Sequence, residues 1–147
     1  MIVLDTNVVS ELRRRRPDQN VLAWLDACPA DLMFLTATTA AELWFGIARI
    51  PDGSRKTALA AQTRGVLDED FADRVLPFTA AAAVVYADIT AARERRGQPI
   101  GMADAQIAAI CRVHGMDLAT RNVKDFADTG VRVVNPRDAA GPTSGRS

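Results

Sequence analysis

At 147 residues, 48% of them hydrophobic, the chain is sized for one globular domain with a core of its own rather than two. Eighteen Lys and Arg balance eighteen Asp and Glu, so overall charge selects no polyanionic partner and only its placement is informative. Cys28 and Cys111 stand far apart and the single His114 completes no ligand set, which excludes a zinc motif or a disulfide framework, and no apolar run approaches the roughly 18 residues of a membrane span.

Ile2-Val3-Leu4 is a short apolar run closed by Asp5-Thr6-Asn7, the pattern of a buried strand feeding a helix that extends to near Arg16, before Pro17. Val21, Leu22, Trp24 and Leu25 recur at helical spacing between Asn20 and Cys28, and Pro29 closes that segment. Met33-Phe34-Leu35 predicts a second buried strand. Thr38 or Thr39 can cap a helix reaching Ile50, with Leu43, Trp44 and Ile47 inward, before the breaker Pro51-Asp52-Gly53. A helix is expected from Arg55 to Asp73, then a strand at Val75-Leu76. Thr79 opens an alanine-rich helix with Arg93, Arg95 and Arg96 in its last turn and a left-handed stop at Gly97. Met102 to His114 is one more helix, and Leu118-Ala119 and Val131-Val133-Val134 complete the strands. Short strands alternating with longer helices predict an α/β domain with a mainly parallel central sheet and helices on both faces. The small, polar stretch from Gly141 to Ser147 is expected to be disordered, giving a domain at residues 1–138 and a tail at 139–147. The opening Met1-Ile2-Val3-Leu4 lacks the basic region of an export signal, and a reducing cytoplasmic location suits the two thiols.

Four polar residues fall where a strand or loop hands over to a helix. Asp5 ends the first strand, where ligands gather in open α/β sheets, and it equally fits a helix cap. Thr39-Ala40-Ala41-Glu42 matches a capping box, Asp104 fits a helix-dipole partner, and Asn122 fits a cap with Asp125 as its first-turn acid. Their shared location at one sheet edge favours convergence. Clustered carboxylates repel, so a cluster implies raised pKa values or bound cations, and oxygen-only ligation points to Mg²⁺ or Mn²⁺ rather than zinc.

With Leu4-Asp5-Thr6-Asn7-Val8, Ala41-Glu42-Leu43, Ala103-Asp104-Ala105 and Ala119-Thr120-Arg121-Asn122-Val123-Lys124-Asp125-Phe126 in that order, the chain closely resembles PIN-domain ribonucleases. It looks most like the VapC toxins of type II toxin–antitoxin pairs, in their FitB-like branch. The resemblance spans about residues 1–138. It implies a PIN fold, Mg²⁺- or Mn²⁺-dependent endoribonuclease activity leaving a 5′-phosphate and a 3′-hydroxyl, a homodimer, and inhibition by a small cognate antitoxin through which any DNA is reached. Asp5, Glu42 and Asp104 match the family's acidic metal ligands, and Asn122 is carried as a fourth catalytic position. Asn122 stands where FitB-like members have an aspartate, so either Asp125 supplies that charge or the site runs on three acids, leaving the occupancy of a second metal open. Thr6, Thr120 and Asn122 are candidates to bind water or substrate behind the ligands.

Arg13 to Arg16 form a run that fits RNA phosphates or a solvated helix end equally well. Arg121 and Lys124 flank the expected site and are better phosphate candidates, whereas Arg93, Arg95 and Arg96 are poorer ones. Trp24, Trp44 and Phe45 are expected in the core, with an antitoxin groove or base-stacking platform as the alternative, and His114 as a helix-end partner. A haloacid-dehalogenase-type phosphotransferase would need a second acid where Asn7 stands, and a receiver domain would need paired acids and a site lysine. The pattern also fits an RNA-processing nuclease without an antitoxin, or a nonenzymatic RNA- or protein-binding module in which Asn122 marks a decayed site.

Overall fold

The computed structural model describes residues 1–138, and the tail expected at 139–147 lies outside the described residues. The strands are β1 (Ile2–Leu4), β2 (Met33–Thr36), β3 (Val75–Leu76), β4 (Asp117–Ala119) and β5 (Val133–Val134). They form one sheet in the order β3-β2-β1-β4-β5, with every neighbouring pair parallel. The helices are α1 (Thr6–Glu11), α2 (Gln19–Ala27), α3 (Ala37–Ala48), α4 (Ser54–Arg64), α5 (Ala80–Arg95) and α6 (Met102–His114).

Alternation along each strand explains why the sheet is covered twice. Leu4, Leu35 and Ala119 face a core built with Val8 and Val9 of α1, Val21, Trp24 and Leu25 of α2, and Leu43 of α3. Their sequence neighbours Val3 and Leu118 face the opposite core, with Ala82 and Ile89 of α5 and Ile107 and Ile110 of α6. Each such Leu, Ile or Val contributes roughly 1.5–3 kcal/mol on burial, so both faces are apolar by necessity and the strands read as continuous apolar runs. Among the described residues no helix is long and apolar enough to cross a membrane.

Three local expectations give way. α1 stops at Glu11 rather than near Arg16, because the Glu11 carboxylate turns inward and accepts the Asp18 N–H at 2.6 Å, drawing the chain into a turn. α3 is capped by Thr36, whose Oγ1 accepts from the Thr39 N–H at 3.0 Å; Thr36 ends β2 in an extended conformation, while Thr38 and Thr39 are already helical. α4 ends at Arg64, and Gly65–Asp70 follow as π-helical turns. Thr79 caps α5 and Gly97, at φ 71°, follows its end as expected, while Gly115, at φ 65°, stops α6.

The chain moves outward from β1 through β2 to β3, then returns to the other side of β1 to lay down β4 and β5. Strand order therefore reverses between β1 and β4. The two connections leave the sheet in opposite directions there, opening a crevice beyond the carboxyl ends of the strands.

Candidate active site

Asp5 stands at that reversal. Leu4 pairs with Ala119, so continuing the register by one residue sets Asp5 beside Thr120, and the Asp5 N–H donates to the Ala119 carbonyl at 2.9 Å. Its carboxylate is almost fully buried, with Oδ1 accepting from the Thr6 N–H at 2.8 Å and Oδ2 accepting from Thr120 Oγ1 at 2.7 Å and Asn7 Nδ2 at 3.4 Å. Asp5 is thus both the cap of α1 and a wall of the crevice. Burial pushes its carboxyl above the ordinary 3.8, the bonds from Thr120 and Thr6 pull it back, and the charges of Glu42 and Asp125 push it up again.

Glu42 comes from the second turn of α3 and is exposed. It is not the return arm of a capping box. Its Oε1 accepts from Thr6 Oγ1 at 2.5 Å, and Thr6 Oγ1 also lies 3.1 Å from Thr39 Oγ1, so a hydroxyl on α1 ties it toward Asp5. Asp104, in the first turn of α6, is partly buried. Desolvation first, then the charges of Asp5, Asp125 and Glu42, push its carboxyl up from 3.8 to about 6, against a smaller opposing pull from Arg93. Asn122 is exposed at the start of the short 3₁₀ turn Val123–Phe126, and its side chain makes no capping bond.

These four residues line one open cavity of about 440 Å³, together with Thr6, Asn7, Ser10, Glu11, Arg14 and Arg121. Asp125 is not part of this wall, although its charge reaches Asp5 and Asp104. Among the described residues no three His, Cys, Asp or Glu side chains are gathered tightly enough to hold one ion as they stand. The donor chemistry nevertheless fits a hard divalent cation, being carboxylate, hydroxyl and amide oxygens without a thiol or imidazole, and exposed Glu42 is free to swing from Thr6.

Asn7, which in the sequence only marks where a phosphotransferase would need an acid, ties the two halves of the site together. Its Nδ2 donates to Thr120 Oγ1 at 3.1 Å and its Oδ1 accepts the Arg121 N–H at 3.2 Å. Thr120 is wholly buried and also accepts the Asn122 N–H at 3.1 Å. Buried Glu11 is absent from the sequence-based candidates, since a glutamate late in a polar helix gives no sign of burial. Arg93 is not a phosphate contact. It is buried and donates to the carbonyls of Gln98, Asp125 and Ala127, at 2.7, 3.0 and 2.8 Å, fixing the loop that carries Asp125. Trp24 is core and Trp44 is half-buried beneath Arg64, but Phe45 departs from the core expectation at 62% exposure, with Arg49 over its ring.

The PIN-domain family model matches residues 2–131. The chain belongs to the PIN-domain family. This PIN domain is 44% identical over 140 residues to the VapC ribonuclease Y4jK of Sinorhizobium fredii, covering 95% of this chain and 100% of that protein. It is 39% identical over 136 residues to the toxin FitB of Neisseria gonorrhoeae, covering 92% and 98% of the two chains. A solved structure of FitAB bound to a DNA fragment superposes with a TM-score of 0.88 at 39% identity, over 93% of this chain and 96% of that one.

Proposed function

We propose that this PIN domain is a metal-dependent endoribonuclease, the toxin of a pair whose antitoxin is a small protein. One observation carries the reading: Asp5, Glu42 and Asp104, brought from β1, α3 and α6, line a single cavity, and repulsion adds to burial in pushing Asp104 up to about 6. Acids assembled against their own charge suit a site that recruits cations, whereas a binding module has no use for the repulsion. The names ribonuclease and toxin borne by relatives support the substrate class and the biological role.

Asp5, Glu42 and Asp104 would hold Mg²⁺ or Mn²⁺, which when bound supplies Lewis acidity toward a phosphate oxygen and acidifies an attacking water. Asp5 is the fixed member, its plane set by donors from Thr6, Thr120 and Asn7. Glu42 is the adjustable member, exposed and bonded to a single hydroxyl. Asp104, its carboxyl pushed up to about 6 by burial and neighbouring charge, would shed its proton as positive charge arrived beside it. Asn122 adds an acceptor without charge, which favours one tightly held ion over two. Any contact with DNA would run through the antitoxin, and a second copy of the chain is expected as partner. A cytoplasmic location, where RNA and antitoxin are met, follows from this role.

Purified protein incubated with RNA tests the reading. Chelator should abolish cleavage, Mg²⁺ or Mn²⁺ should restore it, and Asp104→Asn should lose it while remaining folded. Full cleavage by chelated protein would overturn the mechanism, and induced expression that does not slow growth without the antitoxin would overturn the toxin role.

A further inference from the structure

Glu11 closes α1 with no solvent exposure and has no part in the chemistry above. Its Oε1 accepts from Arg121, both its oxygens lie 3.3 Å from Arg14 Nη1, and Oε2 accepts the Asp18 N–H at 2.6 Å. A carboxylate buried so fully is costly unless it is paired. Here burial pushes its carboxyl up, but the Asp18 N–H and the two guanidiniums outweigh it and hold Glu11 below the ordinary 4.5. One carboxylate thus clasps two arginines from distant parts of the chain, and the trio keeps a net positive charge.

Both arginines line the same cavity as Asp5, Glu42 and Asp104, and neither is used up by Glu11. The Arg14 side chain is 59% exposed and that of Arg121 30%. A guanidinium has five N–H donors, and among the described residues Glu11 takes the only side-chain hydrogen bond that Arg121 makes. The rest of the arginine run is disposed differently: Arg13 turns to Thr63 Oγ1 at 3.1 Å, and Arg15 and Arg16 lie outside the cavity. Without the clasp, a loose arginine beside Asp5, Glu42 and Asp104 would collapse onto those acids and neutralise the site.

We propose that Glu11 is a positioning residue that holds Arg121 and Arg14 at the cavity rim as a phosphate-binding pair. Resting on the ribonuclease reading, this pair would grip an RNA phosphodiester neighbouring the one that is cut. Each guanidinium is held through Nη1 alone, and Nε of Arg121 is buried without a partner, so Nη2 is the group of Arg121 left for a charge-assisted bond to a phosphate oxygen. An acidic cavity repels RNA, and cations fixed beside it give the backbone a place to dock without entering the acids.

The test separates binding from cleavage. In an Asp104→Asn background with chelator present, fluorescence anisotropy of a labelled single-stranded RNA is followed across a salt series. Arg121→Ala should weaken binding about tenfold at low salt and flatten the dependence of log affinity on log salt by about 0.7. Glu11→Gln, which keeps an oxygen for the Asp18 N–H, should move both quantities the same way. With native Asp104 it should raise KM more than it lowers kcat. A Glu11→Gln protein that melts earlier yet keeps its RNA affinity and salt slope would overturn the proposal, because Glu11 would then only brace the turn. Unchanged binding by Arg121→Ala would also overturn it, and this rim substitution decides the matter if Glu11→Gln does not fold. Native protein that cleaves RNA with no binding change in either variant defeats the phosphate pair alone. Native protein that never cleaves, but whose RNA binding depends on Arg121 and Glu11, supports the pair and defeats the ribonuclease reading.

Discussion

Replacing Asp104 with Asn should stabilise the metal-free protein. The Asp104 carboxyl is raised from 3.8 to about 6, so its ionised form is less welcome in the folded protein than in the unfolded chain. That difference corresponds to about 3 kcal/mol at full strength, and water at a partly buried carboxylate reduces it to roughly 2. Asparagine gives up the favourable interaction of an acid with the first turn of α6, about 0.5 kcal/mol, which leaves a net gain of roughly 1–2 kcal/mol at pH 7.5. Below 3.8 both states hold the proton and the penalty is absent. Between 3.8 and about 6 the unfolded chain ionises first, so wild-type stability falls as pH rises through this window and stays lowered above it. Urea unfolding of the native protein and of Asp104→Asn in chelator, at pH 7.5 and at pH 4, measures the difference. The gain should be present at the higher pH and nearly gone at the lower. A variant no more stable than wild type at pH 7.5, or one whose advantage persists undiminished at pH 4, would refute the electrostatic account of the cavity.

Asn122→Ala should cost less cleavage than Asp104→Asn, and Asn122→Asp should tighten a second ion in calorimetric titration; equal damage from Asn122→Ala with the fold intact would defeat the three-acid hierarchy. Thr120→Val deletes a buried hydroxyl that serves Asp5, Asn7 and Asn122, and should lower unfolding free energy by about 1–3 kcal/mol in urea titration. Light scattering at micromolar concentration should give a dimer through α5 or α3, and Val84→Asp at a 64% exposed valine of α5 or Phe45→Asp at a 62% exposed phenylalanine of α3 should shift it toward monomer. A native monomer would remove that expectation.

Much of the frame was legible because both sheet faces are apolar: Ile2-Val3-Leu4 and Met33-Phe34-Leu35 announce buried strands with no polar alternation, and Thr79 and Gly115 mark helix ends by local chemistry alone. Asp5 was legible for the same reason, as the first charge after a strand that cannot tolerate one. Glu42 was half legible. Its position three residues after a threonine mimics a capping box, and the true cap, Thr36, could be recognised only by knowing where β2 stops. Glu11, Asn7 and the anchoring role of Arg93 were not legible, because each depends on partners far along the chain and a short sequence window shows only ordinary polar residues. The Arg13–Arg16 run was misplaced on a helix for a related reason: what ends α1 is the Asp18 backbone N–H donating to the Glu11 carboxylate, which no propensity encodes. Phe45 shows the limit of periodicity, since an aromatic at helical spacing can still face outward.

The central place of β1 also governs when the molecule becomes dangerous. Thr120, which fixes the Asp5 carboxylate, lies 115 residues further along the chain, so synthesis delivers the two well apart. Until β4 emerges, β1 has an open edge on that side and the crevice has only one wall. A fragment that ends before Thr120 therefore lacks the hydroxyl that fixes Asp5 and meets Asn7 and Asn122, however many of the acids it carries. Closing so distant a pairing is also slow compared with forming local helices, so the cutting surface appears late and as a single event. The proposed antitoxin would have that interval in which to arrive.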